Sequence, residues 1–253
     1  LDQSASMNTE ICTKYETVTK YYKGKPYEET ECVESKSRLD VAQGAAVKLV
    51  DELIPINNNG NVRVGFVSFG TYYESNNSIS LTKNKESVKS KINSLTEVTN
   101  NGTNVHGGLR AAKDQLASST ADTKIVILLS DGKPTYFYGI DDEKCGNGNT
   151  DSVDKDDECE VVTQPGNVNK PSDVAEEMAT TIKSSPINAE IYAIGFGSSA
   201  NDIASFLKNQ IASTATEEKS YAYSATDTED LEDAFAKIAS DIKNTLATDA
   251  YVT

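Results

Sequence analysis

Apolar residues recur along this chain at two spacings, and segments with one spacing alternate with segments of the other. Where an apolar residue returns at every third or fourth position, the pattern predicts an amphipathic helix. Where apolar residues alternate with polar ones, or run continuously for a few positions, the pattern predicts a strand. Helices are predicted at residues 37–53, 85–95, 105–116, 172–184, 200–212 and 228–246. Strands are predicted at residues 62–69, 78–81, 124–129, 189–196 and 219–223.

The alternation of strands and helices predicts the fold class. We expect an α/β fold in which a doubly wound, mostly parallel central sheet is flanked by helices, as in Rossmann-like proteins. The 253 residues fit one enlarged domain that covers residues 1–253. In sheets of this kind, functional groups gather at the carboxyl ends of the strands.

Three separate segments carry oxygen-bearing side chains that can reach this edge of the sheet. Asp2, Ser4 and Ser6 alternate along one segment, so an extended backbone directs them to the same side. Asp131 directly follows a predicted buried strand, and Thr103 precedes a predicted helix. Hard cations prefer oxygen ligands, and a set with few carboxylates suits Mg²⁺, which keeps several of its waters. The sequence therefore predicts a Mg²⁺ site at these five residues, with Mn²⁺ or Ca²⁺ as the other candidate ions.

Each of these residues also has an ordinary structural interpretation. Asp and Ser favour helix caps and turns, Thr103 could cap the helix that follows it, and Asp131 could belong to a Ser-Asp-Gly turn. Considered one at a time, the structural interpretations are favoured, whereas the convergence of all five on one sheet edge favours the metal site. A buried apolar strand should precede Asp2, and only Leu1 of it is present, so we expect further residues upstream.

Composition excludes some function classes. The formal net charge is -15, from 39 acidic and 24 basic residues, which argues against nucleic-acid binding and against attraction to anionic membranes. No apolar run approaches the roughly 18 residues of a membrane-spanning helix, so direct membrane insertion is not expected. The chain has neither a phosphate-binding Gly-x-x-x-x-Gly-Lys loop nor a nucleophile elbow, so we do not expect an enzyme.

Other candidate residues have weaker functional interpretations. The single histidine, His106, lacks a marked catalytic partner, and we interpret it as a residue of the helix face or the site rim. Residues 147–158 have some of the spacing of a calcium-binding loop, but serine replaces the required glycine and lysine takes a ligand position. We interpret this stretch as a solvated acidic arm. The aromatic residues 136–138 could contact a partner or pack at the base of that arm.

The four cysteines form two local pairs, Cys12 with Cys32 and Cys145 with Cys159. Neither pair has the Cys-x-x-Cys spacing of a zinc or redox site. Each pair brackets a polar, loop-like stretch, so two disulfides would close two loops and imply an oxidising compartment. Three pairings are formally possible, and four free thiols in a cytosolic protein are the alternative.

Taken together, the ligand motifs have a specific resemblance. Asp2-x-Ser4-x-Ser6, Thr103 in Gly-Thr-Asn and Asp131 in Leu-Leu-Ser-Asp-Gly resemble, in the same order, the metal-ion-dependent adhesion site of von Willebrand factor A-like domains. Residues 37–42 resemble the first helix of that family and residues 62–69 its next long strand. Insertions at about residues 8–36 and 134–171, each with one cysteine pair, are similar to the arms of such domains in Gram-positive pilus tip adhesins.

The resemblance implies a function. It implies an extracellular protein at the bacterial cell surface or the pilus tip, whose metal ion binds an Asp or Glu of a host matrix protein or surface glycoprotein. Neighbouring pilin domains are a second expected partner. The alternatives are a module for pilus or stalk assembly that uses the same metal site and, less favoured, a Mg²⁺-dependent hydrolase.

Overall fold

A mostly parallel sheet with helices packed against it forms the body of the protein. The structure is a computed structural model, and it describes residues 1–54, 62–96, 102–139, 144–146, 170–197 and 200–249. The strands are β1 (Glu10–Tyr22), β2 (Lys25–Ser37), β3 (Val64–Phe69), β4 (Tyr73–Thr82), β5 (Ile125–Ser130), β6 (Phe137–Tyr138), β7 (Lys144–Cys145), β8 (Glu190–Phe196) and β9 (Ala222–Ala225). The helices are α1 (Arg38–Leu53), α2 (Lys85–Asn93), α3 (Val105–Ala117), α4 (Pro171–Lys183), α5 (Ala200–Phe206) and α6 (Thr228–Asp249).

Residues 1–3 join two halves of the central sheet. β3 pairs antiparallel with β4, whereas β5, β8 and β9 pair in parallel in that order. Between these halves, Asp2 forms a parallel bridge with Phe69, and its amide donates to the Leu129 carbonyl at 2.9 Å. The order across the sheet is therefore β4, β3, residues 1–3, β5, β8 and β9. The loops that follow residues 1–3, β3, β5 and β8 all leave the sheet at its carboxyl edge.

Helices cover both faces of this sheet. Ile191, Tyr192, Ala193 and Ile194 in β8 are all buried, and adjacent residues of a strand point to opposite faces. Helix α1 packs against α2 and α6, and α3 packs against α4. The predicted α/β fold class is thus confirmed. Among the described helices, none combines the length and the apolar character needed to cross a membrane.

Side-chain caps fix where α1 and α3 begin. The Ser37 hydroxyl accepts a hydrogen bond from the amide three residues later, at 3.1 Å. The Asn104 Oδ1 accepts from the Gly107 amide at 2.7 Å. Such caps satisfy amides that lack a partner at a helix start. They hold Arg38, the first residue of α1, and Thr103, which precedes Asn104, at defined places near the carboxyl edge.

β1 and β2 form an exposed ribbon outside the central sheet. They pair antiparallel, with Glu10 opposite Ser37, and the ribbon turns at Lys23 and Gly24. Both turn residues have positive φ, 48° and 78°, which suits a two-residue hairpin loop. A disulfide joins Cys12 and Cys32, as predicted. The arm predicted at residues 8–36 is therefore a β-ribbon and not a loop, because its Thr, Val and Tyr residues favour extended pairing.

The arm predicted at residues 134–171 is described only in part. β6 and β7 pair antiparallel within it. Cys145 is buried and disulfide-bonded. Cys159 lies outside the described residues, so its pairing with Cys145 stays a prediction. The stretch 147–158 also lies outside them.

An apolar cavity of about 560 Å³ lies between β3 and β5. Leu1 and residues of β3, β5, α1, α3 and α6 line it. It continues the line of residues 1–3 toward the amino ends of β3 and β5.

Several predicted elements differ in extent from the observed ones, and three of these differences involve a change of helix type or a shift of strand pairing. The helix predicted at residues 200–212 is α-helical only to Phe206 and continues as a π-helical turn at Leu207–Ile211. The last strand lies at β9, three residues later than predicted, although the Tyr221 carbonyl already accepts from the Ala193 amide at 2.8 Å. The strand predicted at residues 78–81 is extended in the structure to β4, because pairing with β3 resumes at Tyr73, opposite Phe69, beyond a shift of register.

Candidate metal centre

The loop after residues 1–3 brings three candidate ligands together. The Asp2 backbone is held between β3 and β5, and the Gln3 amide donates to the Phe69 carbonyl at 2.6 Å. The chain then turns, and the Ser4 amide donates to Asp2 Oδ1 at 2.8 Å. Ser4 precedes a 3₁₀ turn at Ala5–Asn8, but its side chain makes no capping hydrogen bond there. Its hydroxyl therefore remains available to the site.

A continuous chain of hydroxyl and carboxylate oxygens connects this loop to β5. The Ser4 and Ser6 hydroxyls lie 3.0 Å apart, and the Ser6 hydroxyl donates to Asp131 Oδ1 at 2.6 Å. Asp131 follows β5 and is buried, whereas Ser6 is exposed. The oxygen cluster thus reaches from the interior to the protein surface, where an outside group can approach it.

Two carboxyl groups share this buried region. Asp2 is fully buried, and its Oδ2 accepts from the Ser130 hydroxyl at 2.5 Å. Burial, followed by the negative charge of Asp131, raises the pKa of Asp2 from 3.8 to about 7, although hydrogen bonds from Ser130 and Ser4 oppose this. Because two carboxylates in a buried cluster repel each other, a bound divalent cation would stabilise the form in which both are ionised.

Thr103 lies beside the loop that carries Asp131. A Cβ at Gly132 would be 3.3 Å from the Thr103 hydroxyl oxygen. The Thr103 backbone is fixed by three hydrogen bonds to Thr135 and Tyr136, between 2.9 and 3.2 Å. Its hydroxyl makes no hydrogen bond to any residue that the structure describes. A polar oxygen is thus held in place at the edge of the cluster, as a ligand would be.

Glycine at position 102 is required by the packing next to Thr103. A Cβ at Gly102 would lie 2.1 Å from two ring carbons of Tyr136, so the ring and the loop can be this close only without a side chain there. Helix α3 begins after Asn104 and not after Thr103, which excludes the interpretation of Thr103 as its cap.

The site includes two residues that sequence reasoning did not assign to it. Ser130 bonds to Asp2, as described above, and Arg38 Nη1 donates to Asp131 Oδ2 at 2.8 Å. Ser130 stands next to Asp131 in sequence, and that adjacency was the available signal. For Arg38 the signal was a cation at the start of a predicted helix, where acidic residues are favoured.

The donor set fits a hard cation. Three hydroxyls and two carboxyls are oxygen donors of the kind that Mg²⁺ prefers. Among the described residues, no group of three or more His, Cys, Asp or Glu side chains is placed to hold a metal. A site built from the five candidates would therefore depend on hydroxyl ligands for most of its protein contacts, and a soft metal would find neither thiolate nor imidazole in it.

Other candidate residues turn out to be structural. His106 is buried in α3, not at the rim, and its Nδ1 accepts from the Tyr138 amide at 3.1 Å. Burial, together with the charges of Arg110 and Lys113, lowers the pKa of His106 to about 4, so the ring is neutral at pH 7. Within residues 136–138, Phe137 is fully buried while its neighbours are half-buried.

Comparison with solved structures identifies the same fold. The crystal structure of the vWF domain of the type V pili tip protein Mfa5 from Porphyromonas gingivalis has a TM-score of 0.62 at 21% identity, covering 96% of this chain and 93% of that one. Pilus adhesin SpaC from Lactobacillus rhamnosus GG gives 0.63 at 17% identity, with 95% and 29% covered. Proximal thread matrix protein 1 from the mussel byssus, described with a zinc-occupied MIDAS motif, gives 0.51 at 18% identity, with 78% and 41% covered.

Sequence comparison gives the family. The minor fimbrium subunit Mfa5 of P. gingivalis is 28% identical over 146 residues, which are 57% of this chain and 12% of that protein. The chain thus corresponds to a small part of that relative. The von Willebrand factor type A domain family matches residues 1–133, more than half of the 253 residues. The chain therefore belongs to the von Willebrand factor type A domain family.

Proposed function

We propose that this domain is an adhesion module of an extracellular pilus or fimbrial protein. It binds a carboxylate of a host matrix protein or surface glycoprotein through a divalent cation held by Asp2, Ser4, Ser6, Thr103 and Asp131. Mg²⁺ is the ion we favour, with Mn²⁺ and Ca²⁺ as alternatives. The relatives support the setting, because Mfa5 is described as a pili tip protein and SpaC as a pilus adhesin.

The observation that carries the proposal is the chain of oxygens from Ser4 through Ser6 to Asp131, with steps of 3.0 and 2.6 Å. Side chains from two segments that are widely separated in sequence meet there, and the cluster opens to the surface at Ser6. A Mg²⁺ ion keeps several of its waters when it is bound by a few hydroxyls and carboxylates, so the site has an exchangeable coordination position. An anionic oxygen from outside can replace a water at that position, and an Asp or Glu of a partner can supply it.

Metal binding is the first test. Isothermal titration calorimetry with Mg²⁺, Mn²⁺ and Ca²⁺ should show one site in the unmodified domain. Thr103→Val removes the hydroxyl with little change of shape, and we expect it to weaken binding roughly 10- to 100-fold or more. Thr103→Ser keeps the hydroxyl and should retain binding. Equal affinities for the two variants would exclude Thr103 as a ligand.

Adhesion is the second test. Binding to immobilised collagen, fibronectin, fibrinogen and laminin is measured with Mg²⁺ and with a chelator. Asp2→Ala should abolish cation-dependent binding. Asp122→Ala removes an exposed acid before β5, at the opposite edge of the sheet, and serves as the matched control. Adhesion that survives both the chelator and Asp2→Ala would show that the arms bind the ligand without the metal.

An assembly module that uses the same metal site is the alternative. In that case the outside carboxylate belongs to a neighbouring pilin domain. Cation-dependent binding to pilin domains of the same pilus, with none to host proteins, would favour this alternative over host adhesion.

A further inference from the structure

Arg38 is a buried cation in direct contact with the candidate metal site. Its side chain is 7% exposed, that of Asp131 is fully buried, and Nη1 lies 2.8 Å from Asp131 Oδ2. The other oxygen of Asp131, Oδ1, accepts from the Ser6 hydroxyl. The two oxygens of one carboxylate are thus divided between a fixed positive charge and a hydroxyl of the proposed ligand set.

Neither helix formation nor packing explains an arginine at this position. Arg38 is the first residue of α1, directly after the cap Ser37. The amino end of a helix carries partial positive charge and favours acidic residues, so a cation there is disfavoured. Burial of a guanidinium is also costly unless an anion pairs with it. The ion pair with Asp131 offsets both costs, which indicates that the pair is the reason for the arginine.

Gly197, which follows β8, provides the space for the guanidinium group. A Cβ at Gly197 would lie 2.5 Å from Arg38 Cζ and Nε, so a larger residue would displace the group. Gly197 has φ of 98°, in the region that favours glycine. The residue that follows β8 therefore leaves room for the guanidinium group in its position beside Asp131.

We propose that Arg38 is an internal counter-ion that competes with the divalent cation for Asp131. This inference rests on the metal site of the proposed function and adds the regulation of its affinity. Without the cation, Arg38 neutralises part of the charge of Asp2 and Asp131 and keeps the cluster assembled. When the cation is bound, the positive charge of Arg38 repels it from the other side of the Asp131 carboxylate and weakens its binding. The occupancy of the site therefore changes with cation concentration, and the site is not permanently filled.

The test compares Arg38→Gln, which removes the charge but keeps an N–H donor, with Arg38→Lys, which keeps the charge. Calorimetry with Mg²⁺ should give a dissociation constant that is roughly tenfold lower in Arg38→Gln and within about twofold of the unmodified domain in Arg38→Lys. Arg63→Gln removes the same charge from an exposed residue that bonds Ser119, and it should leave affinity unchanged. A residue with only a structural role would not tighten ion binding when replaced.

Thermal unfolding gives a second readout. In chelator, Arg38→Gln should unfold at a lower temperature than the unmodified domain. Mg²⁺ should then raise the unfolding midpoint of Arg38→Gln by more than it raises that of the unmodified domain. If this variant does not fold in chelator, recovery of its circular dichroism with Mg²⁺ replaces the midpoint, and failure to recover would overturn the proposal. Unchanged or weaker Mg²⁺ binding by Arg38→Gln overturns the counter-ion role while leaving the metal site intact. Absence of Mg²⁺ binding in the unmodified domain overturns the metal site, and the counter-ion role with it.

Discussion

The buried carboxyl of Asp2 should give the metal-free domain an unusual dependence of stability on pH. The perturbation is Asp2→Asn, which keeps the shape and an oxygen that can accept from the Ser4 amide, but cannot ionise. In the unmodified domain the folded-state pKa of Asp2 is about 7, raised by burial and by Asp131, against 3.8 ordinarily. At pH values between these two pKa values, Asp2 is protonated in the folded protein and ionised in the unfolded chain.

The sign and size of the effect follow from linkage. Because the folded state binds more protons in this window, the free energy of unfolding falls as pH rises from about 4 to about 7 and is flat beyond it. Each pKa unit corresponds to about 1.4 kcal/mol. The difference between 3.8 and about 7 therefore corresponds to a loss of about 4 kcal/mol, which Asp2→Asn should not show.

His106 acts in the opposite direction over part of the same window. Burial lowers its pKa from 6.5 to about 4, so its contribution rises with pH between these values. His106 is present in both the unmodified domain and Asp2→Asn. Its contribution therefore cancels when the unfolding free energy of one is subtracted from that of the other. Urea unfolding in chelator, followed by circular dichroism in steps from about pH 4 to about pH 8, measures that difference. A difference that stays constant within about 1 kcal/mol would refute the assignment to Asp2.

Three further predictions concern the metal, a glycine and the ribbon. Millimolar Mg²⁺ should raise the thermal midpoint more at pH 8 than at pH 5, because Asp2, with a pKa of about 7, is ionised at pH 8 and protonated at pH 5; an equal shift at the two pH values would contradict binding to Asp2. Gly102→Ala should lower the unfolding free energy by about 1–3 kcal/mol in urea unfolding, because a methyl group would overlap the Tyr136 ring, whereas Gly44→Ala, with nothing within 4 Å, should not. Replacing Cys12 and Cys32 together by serine should increase protease cleavage within the ribbon, detected by mass spectrometry, and leave Mg²⁺ affinity unchanged; a loss of affinity would show that the ribbon supports the site.

The positions of the candidate ligands could be predicted because each stands at a recognisable local transition. Asp131 follows a continuous apolar run that can only be a buried strand or helix segment, and Thr103 stands just before the cap of an amphipathic helix. Asp2, Ser4 and Ser6 alternate in sequence, and although Ser6 lies in a 3₁₀ turn instead of an extended segment, the Ser4 and Ser6 hydroxyls still lie 3.0 Å apart. The general rule that parallel strands direct their carboxyl ends to one edge then brings the three segments together without any knowledge of contacts.

The partners of those ligands could not be predicted, because they depend on side-chain contacts across the sheet. Nothing local distinguishes Ser130, which bonds to Asp2, from a serine in an ordinary turn. Arg38 reaches Asp131 only because Gly197, far along the chain, leaves room for its guanidinium group. A positive charge at the start of a helix indicates that an anion lies nearby. Which residue supplies that anion can be learned only from the three-dimensional structure.

The ribbon shows why a long insertion beside the site leaves the site intact. It separates Ser6 from Arg38 in sequence, yet both residues contact the same carboxylate of Asp131. Antiparallel pairing returns the chain to the place where it left, and the Arg38 amide donates to the Thr9 carbonyl at 2.9 Å, closing the base of the ribbon. An unpaired loop of this length would need to lose more conformational entropy to hold its two ends together. The pairing of β1 with β2 is therefore what allows the chain to carry an exposed arm between two residues that must meet at Asp131.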